Sequence, residues 1–194
     1  MKKHPFNLIL LGDPAAGKAT QAAWIAKRYD MMDLDMGREL RKPAARRRFD
    51  YARLTAKGKL TPTAVVRDIL QRKIMKAPAA RGILFDGTPK MIGEARLVAD
   101  LLRKTGRSAP LVIYLHIPVG ETMRRMTTRG RKDDTRAAFL NRVAYYRKEV
   151  AQTVAFFRKT YEFKRMSGVG TPANVAERID GEIKKFMMRA SKTD

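Results

Sequence analysis

One stretch governs what this chain can fold into: FNLILLGDPAAGKATQ, Phe6 to Gln21. Phe6 to Leu11 is a near-continuous apolar run that stops at a glycine, the pattern of a strand buried on both faces of a parallel sheet. After Lys18, the residues Ala22, Trp24, Ile25 and Tyr29 recur at helical spacing as far as Asp30. Strand, glycine loop and helix in that order make a phosphate cradle, because backbone N–H groups can curl around phosphate oxygens at the positive end of the helix. Gly12 and Gly17 permit the close approach, Asp13, Pro14, Ala15 and Ala16 supply the loop between them, and Lys18 bridges the phosphates. The usual pattern puts Ser or Thr directly after the lysine to hold Mg²⁺. Here that position is Ala19, and the hydroxyl arrives one residue later, at Thr20.

Two more apolar runs read as central strands, GILFD (Gly82 to Asp86) and PLVIYLHI (Pro110 to Ile117). Helical patterns follow them, over Glu94 to Lys104 and Gly120 to Arg129. A long helix is expected from Asp134 to about Thr160, then a short strand YEFKRMS, a loop GVGTP and a closing helix from Ala173 to about Arg189. Strands alternating with helices imply an α/β fold, a P-loop NTPase-type three-layer α/β/α sandwich with a mostly parallel sheet. Ligands of such sheets bind beyond the carboxyl ends of the strands. The cradle, Asp86 and the segment after Ile117 all fall at that edge.

The 194 residues suffice for one core with insertions. With no cysteine, and with His4 and His116 as its histidines, the chain has no disulfide framework, no Cys-based zinc site and no histidine metal cluster. No window approaches a membrane span, and the N-terminus reads as a first strand rather than a signal peptide, so the expected address is the cytoplasm. The unusual quantity is the net charge of +23, from 42 Lys+Arg against 19 Asp+Glu. Such an excess attracts polyanions, and it speaks to partners rather than to fold. The dense run Arg46-Arg47-Arg48 reads as a solvated helix face in preference to a dedicated RNA site.

Asp86 ends a strand where a carboxylate can stand near a phosphate-bound metal, usually through water, although Asp-Gly also marks turns. Arg125 and Arg129 lie four apart on one helix face, with Arg131 two residues on and Arg142 on the next helix. Guanidinium forks suit phosphoryl oxygens because they bind in two places and never deprotonate. A solvated face in so basic a chain would also be rich in arginine.

The motifs GDPAAGKATQ, DGTPK and ETMRRMTTRGRKDD, with the later Arg142, resemble in order and spacing the adenylate kinase-like nucleoside monophosphate kinases. In that family the loop is GxPxxGKxTQ, and its hydroxyl comes one residue late as Thr20 does here. The resemblance spans nearly the whole chain. It implies core segments 1–35, 62–128 and 135–194, a nucleoside monophosphate arm over 36–61 and a very short lid over 129–134, of the type without zinc. It further implies Gly12 to Thr20 for the ATP phosphates, Arg125 and Arg129 beside the donor nucleotide, and Arg131 and Arg142 closing on the transferred phosphoryl group. Gly170 and Thr171 would lie beside the donor adenine, and Thr20 with Asp86 (through water) near Mg²⁺. On the acceptor side it implies Met36, Gly37, Arg41, the backbone of Lys59, Leu60 and Thr61, and Gly87, Lys90 and Glu94.

That acceptor side also holds most of the departures. Met36 stands where adenylate kinases usually have Thr, Arg38 where they have Asp, and Lys90 where they have Arg. Glu94 replaces a glutamine that reads the adenine edge. An ionised carboxylate only accepts, which suits the N1–H and N2–H of guanine better than adenine N1. The expectation is therefore an ATP- and Mg²⁺-dependent monomeric kinase acting first on AMP, with GMP as the other acceptor its residues allow. In the bland alternative Glu94 points to solvent. A non-enzymatic alternative is a catalytically weak basic relative that binds nucleic acid.

Overall fold

The computed structural model describes residues 5–46, 61–129 and 136–191. Five parallel strands form one sheet: β1 (Leu8–Gly12), β2 (Met32–Asp35), β3 (Ile83–Asp86), β4 (Leu111–His116) and β5 (Phe163–Ser167). Their order across the sheet is β2-β3-β1-β4-β5. Parallel strands put every carboxyl end at one edge. The chain leaves β1 toward β2 on one side and later reaches β4 on the other. Strand β1 is thus the switch point, where crevices open in such sheets.

The helices are α1 (Lys18–Tyr29), α2 (Met36–Arg41), α3 (Pro43–Arg46), α4 (Thr63–Met75), α5 (Ile92–Lys104), α6 (Val119–Arg129), α7 (Arg136–Thr160) and α8 (Pro172–Ala190). They cover both faces, which explains the unbroken apolar run in β1. Ile9 and Leu11 face a core completed by α4, α5 and α7, whereas Leu8 and Leu10 face one completed by α1 and α8. All four are 0% exposed. In α7, Tyr146, Val150, Thr153 and Phe157 are buried at spacings of four, three and four, one helical stripe against the sheet.

The structure adds an element that the sequence pattern does not announce. β2, Met-Asp-Leu-Asp, has an aspartate at every second place and buries only Leu34 fully. It is tolerated because β2 is an edge strand. Its register sets Asp35 beside Asp86 and, one strand further, Asp86 beside Leu10. The expected arm falls partly and the expected lid almost wholly outside the described residues, since 47–60 and 130–135 are not among them.

Phe157 is 0% exposed and ties α7 to the sheet. Phe157→Ala should cost about 3–5 kcal/mol in denaturant unfolding. A loss below about 1 kcal/mol would contradict this packing account.

Candidate active site

The loop after β1 is fastened from behind. Gly12 carries its backbone so close to β4 that a Cβ there would lie 2.4 Å from the Leu115 carbonyl oxygen. Asp13 N–H donates to that carbonyl at 2.9 Å. The hydroxyl of Tyr146, from α7, donates to the Gly12 carbonyl at 2.7 Å. The Asp13 carboxylate turns away from the loop's mouth. It accepts from the Tyr114 hydroxyl at 2.7 Å and from the Ile117 N–H at 2.9 Å, and it meets His116 Nδ1 at 2.7 Å.

The front of the loop is shaped by positive φ at Ala15 (59°) and Gly17 (84°). Gly17 is the left-handed N-cap of α1, so Lys18, Ala19 and Thr20 open the helix. N–H groups of a first turn have no acceptor within their own helix. The Lys18 ammonium folds back to the carbonyls of Gly12 and Asp13, both at 2.7 Å.

Beside the loop stands Arg125. Its Nε donates to Glu121 at 2.6 Å and one Nη to the Gly168 carbonyl at 3.1 Å. Arg124 and Arg125 together hold the Glu121 carboxyl down to about 2. The 168–171 turn packs on the phosphate loop, since a Cβ on Gly168 would meet the Ala16 carbonyl oxygen at 3.1 Å. Gly170 has φ 113°, and Thr171 caps α8 by accepting from the Asn174 N–H. Gln21, on α1, donates to the Pro172 carbonyl at 2.9 Å.

On the other flank lie Asp86 and the residues expected around an acceptor. Asp86 is 9% exposed, and among the described residues no hydrogen bond reaches its carboxylate. Burial foremost, then the charge of Asp35, pushes it up to about 6, against the pull of Lys18. Arg41 stands 4.0 Å from Asp35, whose other oxygen caps α2 by accepting from the Arg38 N–H. Arg38 itself pairs with Asp33 at 2.8 Å. Met36 is buried and Gly37 packs against Arg41. Gly87 has φ 65°, the Thr88–Pro89 bond is cis, and the Lys90 carbonyl accepts from Thr153 Oγ1 at 2.8 Å.

Glu94 does not point to solvent, as its bland alternative had it. It is 3% exposed, and its Oε2 accepts from the N–H groups of Lys90 (2.9 Å) and Met91 (3.2 Å), capping α5. A Glu at the third helical position does this in many helices. Thr61 is described. Lys59, Leu60 and Arg131, and the side chains of Arg129 and Arg142, lie outside the described residues. The sequence reading missed Tyr114, His116 and Tyr146, and it quoted Gln21 and Gly168 within their motifs without assigning them a role. Gln21, at the end of GDPAAGKATQ, and Gly168, in GVGTP, carry a local signal, and the other three do not.

Among the described residues no group of three or more His, Asp or Glu side chains is arranged to hold a metal ion, and no helix is long and apolar enough to cross a membrane.

The raised Asp86 carboxyl has a consequence for stability. The folded state favours its protonated form, so that contribution is full below about pH 4 and is lost as pH rises through about 6. In protein free of nucleotide and metal, Asp86→Asn should gain on the parent by on the order of 2–3 kcal/mol between pH 4 and pH 7.5. Chemical denaturation at both pH values reads this, and an equal difference at both would contradict it.

The profile of the adenylate kinase family matches residues 10–162. An adenylate kinase of Phenylobacterium zucineum is 30% identical over 184 residues, covering 91% of this chain and 97% of its own. Adenylate kinase 1 of a Nostoc species is 29% identical over 183 residues, 91% of this chain and 98% of its own. An adenylate kinase of Mycolicibacterium paratuberculosis is 28% identical over 168 residues, 85% and 92% respectively. With a parallel sheet, a lysine-bearing phosphate loop at its switch point and these relatives along nearly its whole length, the chain belongs to the adenylate kinase family of nucleoside monophosphate kinases, a phosphotransferase by reaction class.

Proposed function

We propose that the chain moves the γ-phosphoryl group of ATP onto AMP, giving two ADP, in the cytoplasm and as a monomer. The observation that carries this reading is continuity along the sheet edge. Lys18 of the phosphate loop feels Asp86, Asp86 feels Asp35, and Asp35 stands 4.0 Å from Arg41. A donor-side cation and an acceptor-side cation thus stand at the two ends of one carboxylate pair, Asp86 and Asp35, which are neighbours in the sheet.

In this reading the backbone of Gly12 to Thr20, including Asp13, Pro14, Ala15, Ala16, Gly17 and Ala19, holds the ATP phosphates. Lys18 trades its two carbonyl partners for phosphate oxygens, which are stronger acceptors because they carry full charge. Arg125 and Arg129 flank the donor, Gly170 and Thr171 border its adenine, and Arg131 with Arg142 neutralise the charge in transit. Arg41 and Lys90 hold the acceptor phosphate. Met36, Gly37, Lys59, Leu60, Thr61, Gly87 and Glu94 shape the pocket for its nucleoside. No general base is required, since positioning and charge neutralisation supply most of phosphoryl-transfer catalysis.

Mg²⁺ fits the residues present. It prefers oxygen donors and commonly takes one or two carboxylates plus substrate phosphates while keeping water. A buried Asp86 without a hydrogen-bond partner among the described residues, and the exposed Thr20, answer that description. When bound it supplies charge neutralisation at the phosphates.

AMP is put first because the preference for GMP would rest on Glu94, whose Oε2 already accepts from two backbone N–H groups. A glutamine can cap α5 in the same way. Glu94→Gln should therefore leave the ratio of AMP to GMP turnover unchanged, and a shifted ratio would make Glu94 a base-reading residue. The decisive assay runs ATP–Mg²⁺ against AMP, GMP, CMP and UMP in parallel. AMP should dominate, and Lys18→Ala should lower turnover by roughly 100-fold or more, the scale of removing one preorganised donor. No turnover with any acceptor, together with salt-dependent RNA binding, would overturn the kinase reading in favour of nucleic-acid binding.

A further inference from the structure

The reverse side of the phosphate loop is also built. Behind Asp13, strands β4 and β5 and the later turns of α7 border an open cavity of about 340 Å³ that the proposed reaction does not use, with Arg158 and Arg165 exposed at its edge. Val150, Val154 and Phe163 make it apolar on one side. Asp13, with Tyr114 and His116 bonded to its carboxylate, makes the other side polar. Arg158 and Arg165 complete the lining.

These two arginines are the distinctive feature. Arg158 lies with its guanidinium carbon 5.2 Å from the centre of the Phe163 ring. Among the described residues neither arginine has a carboxylate partner. The nearby acids are engaged elsewhere: Glu162 with Lys164 and Arg189, and Glu182 with Lys164 and Lys185. Asp13, the carboxylate in the lining, already takes hydrogen bonds from Tyr114 and the Ile117 N–H. The cavity thus pairs an apolar wall with unmatched positive charge. Guanidinium forks favour phosphate oxygens, and an aromatic wall favours a flat apolar body.

We propose that this cavity is a second ligand site, for a phosphate monoester carrying one flat group, and that it reports to the phosphate loop through Asp13. A phosphate that accepts from Tyr114 or His116 competes with the Asp13 carboxylate for that donor. That carboxylate belongs to the residue whose carbonyl holds Lys18 at 2.7 Å. Occupancy behind the loop therefore alters the phosphate-facing side without touching it. Two sources share this chemistry, a nucleoside monophosphate and a non-nucleotide aryl phosphate.

The test begins with binding, which requires no kinase activity and so stands apart from the reading above. Phenyl phosphate is titrated by calorimetry into the full chain, into the Arg158→Gln/Arg165→Gln double variant and into Lys18→Ala. The double variant should bind at least about tenfold more weakly, the loss expected on removing charged hydrogen-bond donors. Lys18→Ala should bind as the parent does. Equal affinity in parent and double variant, or loss confined to Lys18→Ala, would overturn the site. An AMP titration separates the sources: a second binding event missing from the double variant assigns the site to nucleotides, and its absence from the parent assigns it to the other class. In kinetics the double variant, which alters no residue of the proposed machinery, should keep basal activity. Phenyl phosphate should shift the KM for ATP in the parent and not in the double variant, and an unmoved KM in the parent would overturn the link through Asp13.

Discussion

The active edge of this protein depends on how the peptide between Gly12 and Asp13 is held. β4 comes so near that no side chain fits at Gly12. Leu115 accepts from the next N–H, and Tyr146 reaches from α7 to the Gly12 carbonyl. The Asp13 carboxylate adds bonds to Tyr114 and Ile117 and the contact with His116. Anchored so, the loop presents its other face with N–H groups at the start of α1 and Lys18 poised on two carbonyls. Preorganisation of this kind matters because donors already in place cost little reorganisation when charge develops.

Charge along the same edge follows from the sheet register. Parallel pairing of β2 with β3 sets Asp35 next to Asp86, and the β1 loop brings Lys18 close to Asp86. Water is largely excluded from Asp86, so its carboxyl rises to about 6 while the nearby lysines oppose the rise. A carboxylate in that condition gains from any cation delivered with a nucleotide. Arg38, placed where relatives of this family usually have an aspartate, is bound to Asp33 and to the cap of α2. The departure thus finds its partner inside the chain.

Much of the fold was legible in the sequence, because β1, β3 and β4 are buried on both faces and read as unbroken apolar runs. β2 was not, since Asp33 and Asp35 hide a strand that lies at the sheet's edge. The loop itself was legible because its glycines and lysine are neighbours in the chain. Its rear support was not, because Tyr114, His116 and Tyr146 lie more than a hundred residues from Gly12 and Asp13. Glu94 is a third case. The substitution was visible, but its helix-capping bonds depend on where α5 begins, which a sequence pattern locates only to within a few residues.

A crystal structure of the chain with a non-hydrolysable ATP analogue, Mg²⁺ and AMP tests the central claim most directly. The account predicts the donor phosphates within the Gly12–Thr20 loop, Lys18 moved from the Gly12 and Asp13 carbonyls onto them, and the AMP phosphate at Arg41. Nucleotide bound elsewhere, with Lys18 still on its carbonyls, would contradict it.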